Sequence, residues 1–117
     1  MNVYDAAHNL ARAIKNSDEY KEYLRKQEKV FANEKTKEMV IDFRKKTMEI
    51  QMEQMTGKEV SKERLEQLKR LEEIIMNNPV IHEFFMAEMR FGQMMSDIYK
   101  ILGESINIDL GIENSKR

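Results

Sequence analysis

The side chains that chemistry would need are few in this sequence, and their spacing works against most uses. His82-Glu83 begins like a zinc-binding helix, in which two histidines one turn apart hold the metal. The second histidine would stand at position 86, and that residue is Met86. Asp5 and His8 lie at i,i+3, the spacing of the carboxylate–imidazole pairs of di-iron bundles. Such a site needs a second pair and further inward carboxylates, and the chain has only two histidines. With no cysteine either, neither a thiolate site nor a redox pair can be built. Glu49/Glu53 and Glu72/Glu73 could pair as acid and base, but in a chain so rich in glutamate they read as a solvated face. No nucleophile stands with a base, and no glycine-rich loop is available to cradle phosphate. The expectation is no enzyme, no metal and no cofactor.

One cationic cluster remains, Arg44-Lys45-Lys46, with Lys35 and Lys37 a few turns earlier. It is the candidate basic patch, and contact with RNA phosphates is the chemistry it would offer. Glu34, Glu38, Asp42 and Glu49 share its helix and blunt its field. The whole chain balances 20 Lys+Arg against 21 Asp+Glu. A general nucleic-acid binder needs net positive surface to release counterions, so nucleic acid is not the expected partner.

The elements that carry these residues are helical. Only 4 glycines and 1 proline stand among the 117 residues, too few turn formers for a β-rich fold, and Glu, Lys, Leu and Met are abundant. Helices are expected over 3–15, 18–31, 34–55, 62–76 and 80–102. Asn2, Ser17, Asn33, Ser61 and Asn78 are their N-caps, with Pro79 at the first helical position of the last. Gly57 and Gly103 are the expected stops of the third and fifth. The break at Asn16-Ser17 leaves open whether the first two are one kinked helix. The short turn after Gly57 sets the third and fourth helices antiparallel.

The apolar positions define the faces. The first helix carries Val3, Ala7, Leu10 and Ile14, spaced four, three, four. The third has one row, Val40, Phe43, Thr47, Ile50 and Gln54, and a second row, Ile41, Met48, Met52 and Met55, turned from it by roughly 100°. The fourth points Leu65, Leu68, Leu71 and Ile75 inward. The fifth spreads Ile81, Phe84, Phe85, Phe91, Met95, Ile98, Tyr99 and Leu102 over a broad face, flanked by Met86, Met89 and Met94. The fold expected is an all-α antiparallel bundle of about five helices, with long third and fifth helices. It forms a single helical domain over 1–103. From Glu104 the pattern changes to a period of two (Ile106, Ile108, Leu110, Ile112), so 104–117 is expected as an extended or partly mobile tail.

Ten methionines in 117 residues are unusual, and methionine suits adaptable contact surfaces. One subunit of this size cannot bury both rows of two long helices. A second chain can, at roughly 25 cal/mol per Å² of apolar area covered. Met48, Met52, Met55, Met86, Met89 and Met94 are therefore the candidate interface, with a homodimer as the first expectation. No basic-then-apolar leader opens the sequence. Its most apolar stretch, from Val80 to Leu102, is broken by charges of both signs, so no membrane association and a cytoplasmic location are expected.

Several segments occur in an order that carries a resemblance: Tyr4-Asp5, Ser17-Asp18-Glu19-Tyr20-Lys21, Phe43-Arg44, the run from Gln51 through Met55-Thr56-Gly57 to Glu59, and Ala87-Glu88-Met89-Arg90. Together they resemble the YlbF/YmcA-like family of small bacterial helical proteins, most closely its YheA-type branch, over about Val3 to Leu110. The resemblance implies an all-helical, often dimeric, cytoplasmic protein of Firmicute-type bacteria. Some members of that family form a complex that affects competence, sporulation and biofilm formation and is linked to ribonuclease-dependent mRNA maturation. Those members hold iron–sulfur clusters on cysteines, which this chain lacks, so the cluster is not carried over. No catalytic residue is carried over either. The function expected is a non-enzymatic protein acting through protein–protein contact, with other family members or a regulatory complex as further partners. The alternative is an accessory factor in RNA processing.

Overall fold

A computed structural model describes residues 2–107. It contains five helices, α1 (Val3–Lys15), α2 (Asp18–Ala32), α3 (Glu34–Met55), α4 (Lys62–Met76) and α5 (Pro79–Ile106), and no strand among the described residues. The caps explain the boundaries. Asn2 Oδ1 accepts from the Asp5 amide at 2.8 Å, and Ser17 Oγ accepts from the Tyr20 amide at 3.1 Å. The hydroxyl of Ser17 also donates to the Ile14 carbonyl. One residue thus closes α1 and opens α2, which are two helices. Asn33 Oδ1 accepts from both Lys35 and Thr36, Ser61 Oγ from Arg64, and Asn78 Oδ1 from Val80 and Ile81. Each cap satisfies amides that have no partner within the helix.

The stops agree at one end and differ at the other. Gly57 follows α3 with φ of +87°, the left-handed turn for which glycine is suited. Gly103 does not stop α5. The helix runs through it to Ile106, and Asn107, at φ of +56°, takes the left-handed position that asparagine tolerates best after glycine. A helix-interior glycine costs only about 1 kcal/mol, and Leu102 and Ile106 continue one face at i,i+4. Residues 104–106 are therefore helical, Asn107 is a turn, and positions 108–117 of the expected extended tail lie outside the described residues.

Two compact units make up the chain. The first takes the described residues up to Arg25 together with those from Met86 onward; the second is Lys26–Phe85. The second holds Val30, Val40, Ile50, Ile75, Ile81 and Phe84, all buried, and the buried Thr36. Thr36 Oγ1 donates to the Val30 carbonyl at 2.5 Å, so its polarity is satisfied inside the core. Phe84 meets Phe31 edge-on at 6.4 Å and Phe85 at 5.7 Å, and Phe43 lies 6.2 Å from Phe85. α3 and α4 form the antiparallel hairpin. Arg64, at the start of α4, reaches Glu53, near the end of α3, at 2.6 Å.

The first unit is different. Tyr23 stacks on Phe91 at 5.3 Å, and Tyr20 lies tilted against the same ring at 5.3 Å. Among its described residues only Ala87 is buried. α1 buries none of its side chains.

Candidate interaction surface

The expected interface residues fall into two groups. On α3, Met48, Met52 and Met55 are exposed, the last to 85%, and Ile41 joins them at 48%. Their spacing of seven, four and three places all four on one side of the helix. The inner row of the same helix, Val40 and Ile50, is buried, with Phe43 and Thr47 half-buried. The third helix thus has one face for its own unit and one for solvent or another chain. On α5, Met86 and Met89 are exposed neighbours at i,i+3, Met89 to 65%, whereas Met94 is half-buried.

One expectation about an inward face changes, and one apolar stripe turns out to be open. Leu65 of α4 is exposed, while Leu68 and Leu71 are half-buried and Ile75 is fully enclosed. The stripe of α1, legible as apolar, is open. Val3 is 79% and Tyr4 78% exposed, Ala7 and Leu10 are exposed, and Ile14 is half-buried. Periodicity identifies an apolar face but says nothing about whether a neighbour covers it.

The three residues of the basic cluster are all exposed, but they make different contacts. The Arg44 guanidinium lies over the rings of Phe84 and Phe85, 5.4 and 5.3 Å from their centroids, a cation–π arrangement that turns it toward its own unit. Lys46 donates to Asp42 at 2.9 Å, i,i+4 on α3. Lys45 is exposed. Sequence reasoning missed the role of Arg44 because its aromatic partners lie some forty positions further along the chain.

The candidates for metal or acid–base chemistry are also separated. His8 and His82 are exposed on different helices. Glu83 accepts from Lys26 at 2.8 Å, and this hydrogen bond holds its carboxyl below the usual range, with the lysine charge adding to the effect. Glu53 is lowered in the same way by its hydrogen bond from Arg64. Both carboxylates are ion-pair members suited to structure, since a general acid needs a raised pKa. Among the described residues no group of three or more His, Asp or Glu could hold a metal ion. A groove of about 390 Å³ between α3 and α4 is lined by Ile50, Leu68, Leu71 and Ile74 together with Asp42, Lys46, Glu49 and Arg64. It brings no nucleophile to a base.

With the geometry in place, the comparisons decide the kinship. Residues 3–107 match the family described as control of competence regulator ComK, YlbF/YmcA. The chain belongs to the YlbF/YmcA family. A UPF0342 protein of Symbiobacterium thermophilum is 43% identical over 108 residues, covering 92% of this chain and 96% of that one. Another, from Halothermothrix orenii, is 42% identical over 116 residues, covering 99% and 98%. A solved structure described as a protein of unknown function (DUF964) from Bacillus stearothermophilus superimposes with a TM-score of 0.78 at 18% identity, covering 90% of this chain and 92% of that one. That likeness supports the all-helical fold alone. The resemblance read from the ordered segments is thus correct at the level of the family. The YlbF/YmcA description is regulatory and names no reaction. No helix among the described residues is long and apolar enough to cross a membrane.

Proposed function

We propose that this protein is a non-enzymatic cytoplasmic regulatory component that works by protein–protein contact, with a second copy of itself first and other members of a regulatory complex after that. The observation that carries this reading is the open row of Ile41, Met48, Met52 and Met55 on a helix whose other face is already enclosed. Monomeric proteins rarely leave apolar patches beyond a few hundred Å² uncovered. Methionine side chains are unbranched and repack against different partners at little cost, as exchangeable interfaces require. The regulatory description of the family supports the same reading.

An RNA-directed role draws less support, because Arg44 is engaged by aromatic rings and Lys46 by Asp42. Phosphate contacts are strongest in dilute salt, so RNA binding detected at about 50 mM salt would revive that role.

Light scattering behind size exclusion tests self-association. The expected mass is twice 14.0 kDa; a mass of 14.0 kDa at micromolar concentration would refute it. Capture of partners from the native cytoplasm by the wild-type chain, lost in Met52→Glu and retained in Lys62→Glu, is expected if the α3 row is the contact.

A further inference from the structure

We propose that α1 is the self-recognition helix, pairing antiparallel with α1 of a second copy about a two-fold axis, so that Val3 faces Ile14 and Ala7 faces Leu10 of the partner. This rests on the self-association reading above and assigns the contact between copies to α1, leaving the α3 row to other partners. The first observation is energetic. α1 is a helix of 13 residues with no buried side chain, and helices of about 12–15 residues are marginal in water without packing. The described residues leave it without the packing it needs. It also separates apolar from polar residues more sharply than any other helix of the chain, so the face to be covered is well defined.

The second observation is that this face fits its own reverse. Four stripe positions spaced four, three, four map onto themselves when one copy is turned end for end. The four layers then each pair a larger side chain with a smaller one or two branched ones: Val3 with Ile14, Ala7 with Leu10, and their symmetry equivalents. The positions beside the stripe are Tyr4, Ala6, Ala11 and Ala13. None is charged, and the alanines let two backbones approach closely. Asp5, His8 and Arg12 lie on the far side, where Arg12 donates to Asn9, so pairing desolvates no charge.

The third observation selects the antiparallel arrangement. Asp5 lies in the first turn of α1, and Arg12 and Lys15 in the last. Asp5 and Arg12 point away from the seam, so the selection comes from the helix ends themselves: end-for-end pairing sets the positive end of one helix dipole beside the negative end of the other, whereas parallel pairing would stack like ends. It also gives each copy the same contact, as a closed dimer requires. A standard interface covers about 800 Å² per partner, more than one 13-residue helix supplies. The exposed Tyr99, Leu102 and Ile106 of α5, one stripe at three and four in the same unit, supply apolar area beyond it.

The chain has no cysteine, which makes cross-linking clean. Val3→Cys and Ile14→Cys proteins, mixed and mildly oxidised at micromolar concentration, should yield a covalent heterodimer, as should Ala7→Cys with Leu10→Cys. Asp5→Cys with Arg12→Cys, on the outer face, should not. Leu10→Glu should weaken the dimer by roughly a hundredfold, since it buries a carboxylate among apolar groups. Circular dichroism should meanwhile show the other helices intact. If the wild type runs at twice the monomer mass and the stripe pairs cross-link no better than the outer pair, the α1 assignment is wrong while self-association stands. If the wild type runs at 14.0 kDa at all concentrations, both are wrong.

Discussion

The two units are built from the same material and reach different ends. α2 and α5 contribute to both. Val30, Ile81 and Phe84, in the parts belonging to the second unit, are buried to 1% exposure or less; Leu24, Tyr99 and Leu102, in the parts belonging to the first, stay open. All six are apolar residues on amphipathic helices. What differs is the number of neighbours. The second unit gathers α3 and α4 around the end of α2 and the start of α5, and four helical segments can enclose a core. The first has α1, the start of α2 and the rest of α5, and only Ala87 is enclosed. A helix face becomes a core face only where enough elements surround it, and where they do not, the same face becomes a surface for another molecule.

Substitutions can break or sharpen this contrast. The largest effect is expected from Phe84→Ala in the second unit, which removes a ring in contact with Phe31, Phe85 and Arg44. It should lower unfolding free energy by about 3–5 kcal/mol in denaturant titration. Thr36→Val should follow, at about 1–3 kcal/mol, because it deprives the buried Val30 carbonyl of its hydroxyl donor. Asn33→Ala should cost about 1 kcal/mol by leaving the Lys35 and Thr36 amides without their cap. Leu10→Ala in the first unit, measured at a dilution where chains are separate, should change stability by less than about 0.5 kcal/mol, as at any uncovered surface position. A core-sized loss there would mean that α1 is packed within its own chain and the contrast is false.

The smallest effect concerns pH. Glu53 and Glu83 have carboxyl pKa values below the usual range in the folded chain, each through a hydrogen bond from its cation. A lowered folded-state pKa adds stability that is present above the usual carboxylate range and is lost as pH falls through the lowered value. Glu53→Gln should therefore narrow the gap in denaturant midpoint between neutral and acid solution slightly, and the two proteins should converge in acid. Both groups are solvent-accessible, so the change should be small and diminish in salt.

Much of this was legible in the residues. The five caps, the left-handed Gly57 and the buried row of α3 follow from local chemistry, which acts over four or five positions and is visible in a string. The open methionine row also followed, because two rows on one helix exceed what one neighbour covers. Three features were not legible. α5 passes Gly103 because a single glycine, at about 1 kcal/mol, is too weak a breaker to end a helix by itself. Arg44 belongs to the aromatic cluster at Phe84 and Phe85, a relation set by tertiary packing. The stripe of α1 was read correctly as apolar, yet only the structure reveals that the described residues leave it open.

Hydrogen exchange of the wild-type chain, followed by mass spectrometry at two concentrations, tests the central claim most directly. If a second copy covers α1, amides of Val3–Lys15 should be protected at high concentration and lose that protection on dilution, while those around Val40 and Ile75 stay protected at both. Fast exchange across α1 at every concentration, or protection that dilution leaves unchanged, would contradict it.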